Sequence, residues 1–203
     1  MADLIAQFGP IDIYLFDQLL RGHIAPGMRV LDAGSGAGRN LVYLMKSGYE
    51  VFAADGDADA IAAVTDMGIA LAPRLSAANF RAEPVELMSF PVESVDVVLS
   101  VAVLHFARDT QHFEAMLQRM WRILSPGGLF FCRLASSIGI ESRVSPLEGR
   151  WFLLPDGSER FLVDEAMLVD QTRQLGGELL DPLKTTVVQG KRAMTTWVIR
   201  KPA

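Results

Sequence analysis

Between residues 28 and 134 the chain alternates short apolar runs of strand length with segments whose apolar residues recur at helical spacing. The runs are 28–33, 49–55, 79–82, 95–100 and 129–134. Between them, Leu41, Val42, Leu44 and Met45 form one helical stripe and residues 57–67 a second, with Asp57 or Asp59 as its cap. Phe113, Met116, Leu117, Met120, Trp121 and Leu124 form a third, at i, i+3, i+4, i+7, i+8 and i+11. A strand that returns parallel after a helix crosses over right-handedly, so repeating the unit lays helices on both faces of a mostly parallel sheet. The pattern predicts a doubly wound α/β fold.

The flanks add detail. Residues 11–20 have helical spacing, follow Pro10 and stop near Gly22. Runs at 151–154 and 160–163 flank a turn at Asp156-Gly157 and read as a hairpin. A helix over 164–175 closes at Gly176-Gly177, and strands follow at 178–188 and 194–200. Gly190-Lys191-Arg192 is too short a link for a crossover, so that last pair must be antiparallel. There is no repeat, biased tract or linker, and 203 residues are expected to form a single domain, 1–203.

Charge and composition exclude several classes. A net charge of -5 and a pI near 5.2 argue against a general nucleic-acid partner. A single cysteine, Cys132, cannot form an internal disulfide and reads as a small buried hydrophobe in the fifth strand. The N-terminus lacks a basic leader, and no apolar run approaches the roughly 18 residues of a membrane span. A cytoplasmic protein without a membrane partner is the expectation. His23 and His112 have no partners at ligand spacing, so no metal site is read and both are expected to be solvated.

The densest chemistry is Asp32-Ala33-Gly34-Ser35-Gly36-Ala37-Gly38, leaving the first strand and opening a helix. Glycines there permit a sharp turn and close approach of a ligand, and a helix N-terminus beyond would present free N–H groups. In an open α/β sheet this loop lies where ligands bind, outside the carboxyl ends of the strands. The dinucleotide fingerprint Gly-x-Gly-x-x-Gly/Ala fails, because Arg39 occupies its third small position. Asp32 discriminates further, since a carboxylate at the strand end suits an ammonium or sulfonium and repels a pyrophosphate.

On these residues the chain resembles the class I S-adenosylmethionine-dependent methyltransferases, through ordered motifs over about residues 28–134. The resemblance implies a Rossmann-like seven-stranded sheet ordered 3-2-1-4-5-7-6 with the last strand antiparallel, and S-adenosyl-L-methionine as cofactor. It assigns Asp32, Gly34, Ser35, Gly36 and Gly38 to the first cofactor motif. Asp55 takes the ribose hydroxyls with Gly56 beside it, and Glu83 stands at the adenine. Residues 95–100 with Val103-Leu104-His105 match the motif after strand four, placing Ser100 near the methionine part; Leu124-Ser125-Pro126-Gly127-Gly128 matches the turn before strand five. Gly38-Arg39-Asn40-Leu41 and Gly48-Tyr49-Glu50-Val51 resemble the small-molecule branch that includes tellurite-resistance-type enzymes. Ser35 stands where that branch often has cysteine.

The implied division is an N-terminal lid helix (1–27), a cofactor-binding core (28–134), an acceptor-pocket insertion (135–163) and a last helix with the antiparallel pair (164–203). Asp55 has a plainer reading as a helix cap, and Asp32 as a buried acid bonded to the glycine loop. His105 is the candidate general base, with a structural role as its alternative. Tyr14 on the lid helix is the second catalytic candidate, while Phe16 reads as core. Arg133, Arg143, Arg150 and Arg160 border the expected acceptor pocket and could hold an acidic substrate. The function expected is methyl transfer to a small-molecule acceptor. Its rivals are a catalytically silent binding module of the same fold and a nicotinamide-dependent oxidoreductase.

Overall fold

The computed structural model describes residues 3–203. In chain order the core comprises α1 (Leu4–Phe8), α2 (Ile13–Leu20), β1 (Arg29–Ala33), α3 (Val42–Lys46), β2 (Glu50–Asp55), α4 (Ala58–Leu71), β3 (Phe80–Ala82), β4 (Val95–Val101), α5 (Thr110–Ile123) and β5 (Leu124–Ser136). Three short strands follow, β6 (Ser145–Pro146), β7 (Trp151–Leu153) and β8 (Glu159–Phe161), which pair as a separate small sheet. α6 (Glu165–Gln174), β9 (Glu178–Leu179), β10 (Lys184–Val188) and β11 (Arg192–Arg200) complete the chain.

The main sheet runs β3-β2-β1-β4-β5-β11-β10. β1 to β5 are parallel, and β11 is antiparallel to both β5 and β10. The strand predicted over 178–188 is two pieces on one edge of β11, with Leu179 opposite Ile199 and Lys184 opposite Thr196. Pro182 lies in the gap, where a residue without an N–H cannot extend a ladder. Counted as one edge strand, the two pieces complete the order 3-2-1-4-5-7-6.

Alternation along the strands divides the core in two. Leu31, Val98, Phe130 and Trp197 face α5 and α6, against Phe113, Leu117 and Leu168. Val30, Val51, Val97 and Phe131 face the opposite way, against Leu15, Leu44 and Val64 of α2, α3 and α4. Each side chain of this kind contributes about 1.5–3 kcal/mol when fully buried.

Local details depart from the prediction. α2 starts at Ile13 because Asp12 caps it, Oδ1 accepting the Tyr14 N–H at 3.0 Å, so Pro10 precedes the helix instead of opening it. An additional helix, α1, is capped by Asp3, and its Phe8 ring packs on Phe16 and Tyr43 with centroids 4.9 and 5.1 Å apart. The glycine loop does not run directly into a helix. Gly36 and Gly38 have φ of +50° and +77°, outside the right-handed helical region, so turns occupy 36–41 and α3 is only five residues long. β5 begins at Leu124 and passes through Ser125-Pro126-Gly127-Gly128 with a register shift against β4. Among the described residues no helix is long and apolar enough to cross a membrane.

Candidate functional site

The sheet order reverses between β1 and β4, and there the crossover chains diverge and leave a crevice at the strands' carboxyl ends. The crevice is a cleft of about 810 Å³. Gly34, Ser35 and Gly36 form one wall and Asp55 and Gly56 a second. Val101, Ala102, Val103 and Phe106 come from the chain leaving β4, Pro84 and Val85 from the chain leaving β3, and Met116 and His112 from α5.

The glycine loop is held from below by backbone bonds. Gly34 and Ser35 both donate to the Ala54 carbonyl, at 2.8 and 3.1 Å. Asp55 then closes the cradle, its Oδ2 accepting the Gly36 N–H at 2.8 Å and its Oδ1 the Asp57 N–H at 3.0 Å. Gly34 has φ +79°, and a Cβ there would lie 2.5 Å from Val103 Cγ2, so the loop and the chain after β4 touch at a point with no room for a side chain. Gly36 has open space where its Cβ would be, and its backbone faces the cleft bare. Gly38 is different: its Cβ position meets Val64 at 3.0 Å, so it serves packing against α4 and lies outside the cleft lining.

Asp32 lies beneath this loop, 1% exposed, and its Oδ2 has no hydrogen-bond partner. Burial drives its carboxyl up to about 7, against the pull of the Arg39 charge; the Asp55 charge adds to the rise and the Asn40 side chain opposes it. The unanswered oxygen thus lies under the cleft, although Asp32 itself is not among the residues that line it.

Several residues predicted for the site lie elsewhere. Glu83 is turned away from the cleft, with Oε2 accepting the Ser89 N–H at 2.7 Å and Oε1 the Ser89 hydroxyl at 2.6 Å. Pro84 and Val85 form the wall in its place. Ser100 is completely buried and points into the layer of Cys132, because it sits two residues from Val98 on the α5–α6 face of β4. The cleft begins one residue later, at Val101. Tyr14 does not line this cleft: its hydroxyl bonds Thr186 Oγ1, and the Arg133 guanidinium lies 4.9 Å over its ring. Arg133 in turn pairs with Asp12 Oδ2 at 3.0 Å, which ties the N-terminal segment to β5.

The histidines also differ from expectation. His112 is largely buried in the cleft wall, with Nε2 3.0 Å from Glu86 Oε1 and Nδ1 accepting the Arg108 N–H at 3.1 Å. His23 Nδ1 bonds Gln18 Oε1 at 2.8 Å. His105 is 6% exposed, and its Nδ1 accepts the Ala135 N–H at 3.1 Å, so in the neutral ring Nε2 carries the hydrogen. Burial, followed by the Arg160 charge, pushes its pKa down to about 4. A ring so held presents a hydrogen-bond donor, in keeping with the structural reading of His105 over the general base. Burial likewise raises the Cys132 thiol far above its ordinary value, so it is inert. Among the described residues no group of His, Cys, Asp and Glu could hold a metal ion.

A second chamber of about 400 Å³ adjoins the cleft, and Ala102 lines both. Ala102 has φ +63°, a strained setting for a side chain with a Cβ, held by its N–H donating to the Arg133 carbonyl at 2.8 Å. His105, Arg133 and Ala135 form the inner wall, and Leu154, Asp156, Ser158 and Arg160 come from the β7–β8 hairpin. The hairpin is anchored by Phe161 stacked on Phe113 (5.3 Å, 16°) and by Trp151 Nε1 donating to the Arg108 carbonyl at 2.8 Å. Of the four arginines singled out in the sequence, Arg133 and Arg160 reach this chamber, and Arg192 joins them from β11. Arg150 is paired with Asp164 at 2.9 Å, and Arg143 lies outside the lining.

Comparison with known proteins agrees with this geometry. Residues 31–132 match a methyltransferase domain. Over 142 residues the chain is 27% identical to a ubiquinone biosynthesis O-methyltransferase of Chelativorans sp. (strain BNC1), covering 66% of this chain and 52% of that protein. The chain thus spans about half the length of that curated relative. Among solved structures, the 1,6-didemethyltoxoflavin-N1-methyltransferase of Burkholderia thailandensis, with bound 1,6-didemethyltoxoflavin and S-adenosylhomocysteine, superposes with a TM-score of 0.72 at 20% identity. The match covers 99% of this chain and 82% of that one. The magnesium protoporphyrin IX methyltransferase of Synechocystis PCC 6803, with bound SAM, has a TM-score of 0.65 at 14% identity, covering 93% and 77%. At such identities the two structures establish the fold alone. The matched domain is that of methyltransferases at large and does not single out the tellurite-resistance branch.

Proposed function

The chain belongs to the methyltransferase-domain family, and from that premise we propose that it binds S-adenosylmethionine in the large cleft and methylates a small molecule held in the adjoining chamber. The observation that carries the reading is the pairing of two carboxylates, Asp55 in the cleft wall and Asp32 beneath the glycine loop, with a second chamber reached past Ala102.

The residues present suit such a cofactor. The unanswered Oδ2 of Asp32 complements an ammonium group, and the bare backbone at Gly36 admits close approach. Asp55 would accept the ribose hydroxyls, while Pro84, Val85 and Met116 provide apolar walls for a flat base. When bound, the cofactor supplies a methyl group already activated on a sulfonium. The chain's own contribution is therefore to hold, align and dry the site. Ala102 and the Val103 contact with Gly34 fix the partition between the chambers. The β7–β8 hairpin closes the second chamber, and His105 offers an Nε2–H toward an acceptor there.

A thermal-shift titration with S-adenosylmethionine, S-adenosylhomocysteine and NADH tests the reading. A ligand at 100 times its dissociation constant adds about 2.7 kcal/mol, worth roughly 5–10 °C for a domain of this size. The two sulfur nucleosides alone should produce the shift. A response to NADH alone would favour the oxidoreductase. Cofactor binding without methylation of any acceptor in a broad panel would favour a binding module.

A further inference from the structure

The second chamber gathers three guanidinium groups distant in sequence: Arg133 on β5, Arg160 on β8 and Arg192 at the start of β11. Only Arg133 has its charge answered by an ion pair, with Asp12. Among the described residues neither Arg160 nor Arg192 has a carboxylate within 4.0 Å. The chamber's one acid, Asp156, is turned onto its own loop, Oδ1 accepting the Ser158 N–H at 3.0 Å and its hydroxyl at 2.6 Å. Arg160 is aimed rather than free: its guanidinium lies 5.1 Å over the Phe106 ring, and Nη1 donates to the Glu159 carbonyl at 2.6 Å. Phe106 itself lines the cofactor cleft, so this cation stands at the border of the two chambers.

Together these groups make a chamber with two cations outside any ion pair and a donor histidine, opposed by one acid, Asp156, whose carboxyl is held low first by Ser158 and further by the Arg192 and Arg160 charges. An oxyanion accepts the fork-shaped donors of both guanidinium groups directly, which a neutral acceptor does not. We infer that the acceptor is an organic anion, carrying a carboxylate or phosphate held between Arg160 and Arg192. The inference rests on the proposal that this chamber receives the methyl acceptor, and it deepens that reading by specifying the acceptor's charge.

The test is calorimetric and needs no turnover. S-adenosylhomocysteine is titrated first; if it fails to bind, the methyltransferase reading fails independently of the anion site. With S-adenosylhomocysteine saturating, benzoate is compared with benzamide and phenyl phosphate with phenol, the two pairs separating carboxylate from phosphate. At least one anion should bind about tenfold or more tightly than its neutral counterpart. The preference should weaken with added salt and vanish in Arg160→Gln/Arg192→Gln. Both side chains reach the surface of the chamber, and the melting temperature of the variant checks that it folds. Absence of any preference for an anion in the native chain, whether both members bind equally or neither binds, overturns the proposal. So does retention of the preference in the double variant.

Discussion

Asp55 and Gly36, on different crossover connections, are joined by a 2.8 Å hydrogen bond from the Gly36 N–H to the Asp55 Oδ2. The carboxylate at the end of β2 thus sets the shape of the loop after β1. The same group is proposed to take a ribose, so the residue that builds the cradle also faces its contents.

Replacing Asp55 with alanine removes both functions. A lost hydrogen bond to a charged group costs about 1.5–3 kcal/mol, so S-adenosylmethionine affinity should fall roughly 10- to 150-fold by calorimetry. An unchanged dissociation constant would remove Asp55 from the site.

Gly34→Ala places a methyl group 2.5 Å from Val103 Cγ2 at a φ of +79°. The clash and the backbone strain together should cost about 1–3 kcal/mol in urea denaturation. Because only the clash is relieved by trimming Val103, the cost should be smaller by about 0.5 kcal/mol or more in a Val103→Ala background. Strictly additive effects would show that the two segments do not meet as described.

Asp32 ties cofactor binding to pH. Its carboxyl is raised to about 7 in the free protein, and a neighbouring ammonium would favour the charged form and lower it again. Binding near pH 6.5 should release a proton, and affinity should rise with pH until about 7 is passed. Calorimetry in buffers of different ionisation enthalpy measures the proton, and Asp32→Asn should abolish the buffer dependence. The stability linkage has the opposite sign. The folded form holds its proton above the 3.8 of an ordinary aspartate, so ligand-free stability falls as pH rises from there to about 7. Asp32→Asn should accordingly stabilise the free protein at pH 8 more than at pH 5.

His105 should contribute no ionisation to the rate between pH 6 and 8, because its pKa lies near 4 and its Nδ1 is occupied by the Ala135 N–H. His105→Asn is expected to retain methyl transfer to within about tenfold, short of the 10²–10⁴ that loss of a general base costs. A larger loss, with disappearance of an acidic limb from the pH–rate profile, would restore the base. In the same residue the depressed pKa means that stability is present above 6.5 and falls as pH drops toward 4.

Much of this protein was legible without coordinates. Unbroken apolar runs placed β1, β2 and β4 within a residue or two, because strands covered on both faces are apolar throughout, and a helical stripe over 113–124 marked α5. Glycines at 34 and 36 marked the cradle, and both take positive φ there. The resemblance carried by Asp32 to Gly38 supplied the strand order, which periodicity alone does not contain.

Tertiary structure decided the direction of individual side chains and the meeting of distant ones. Glu83 lies one residue past the end of β3 and bonds Ser89, while Pro84 takes the wall. Ser100 and Val101 are neighbours in sequence but occupy opposite faces, and only the second reaches the cleft. The polarity of His105 depends on a backbone N–H thirty residues away, at Ala135. Arg192 joins Arg160 only because β11 inserts beside β5, while Arg143 and Arg150, closer in sequence to Arg160, lie outside the chamber or paired with Asp164. Local pattern reports which residues must be buried. The partner of a buried polar group is chosen by packing between segments, and that is a non-local property of the fold.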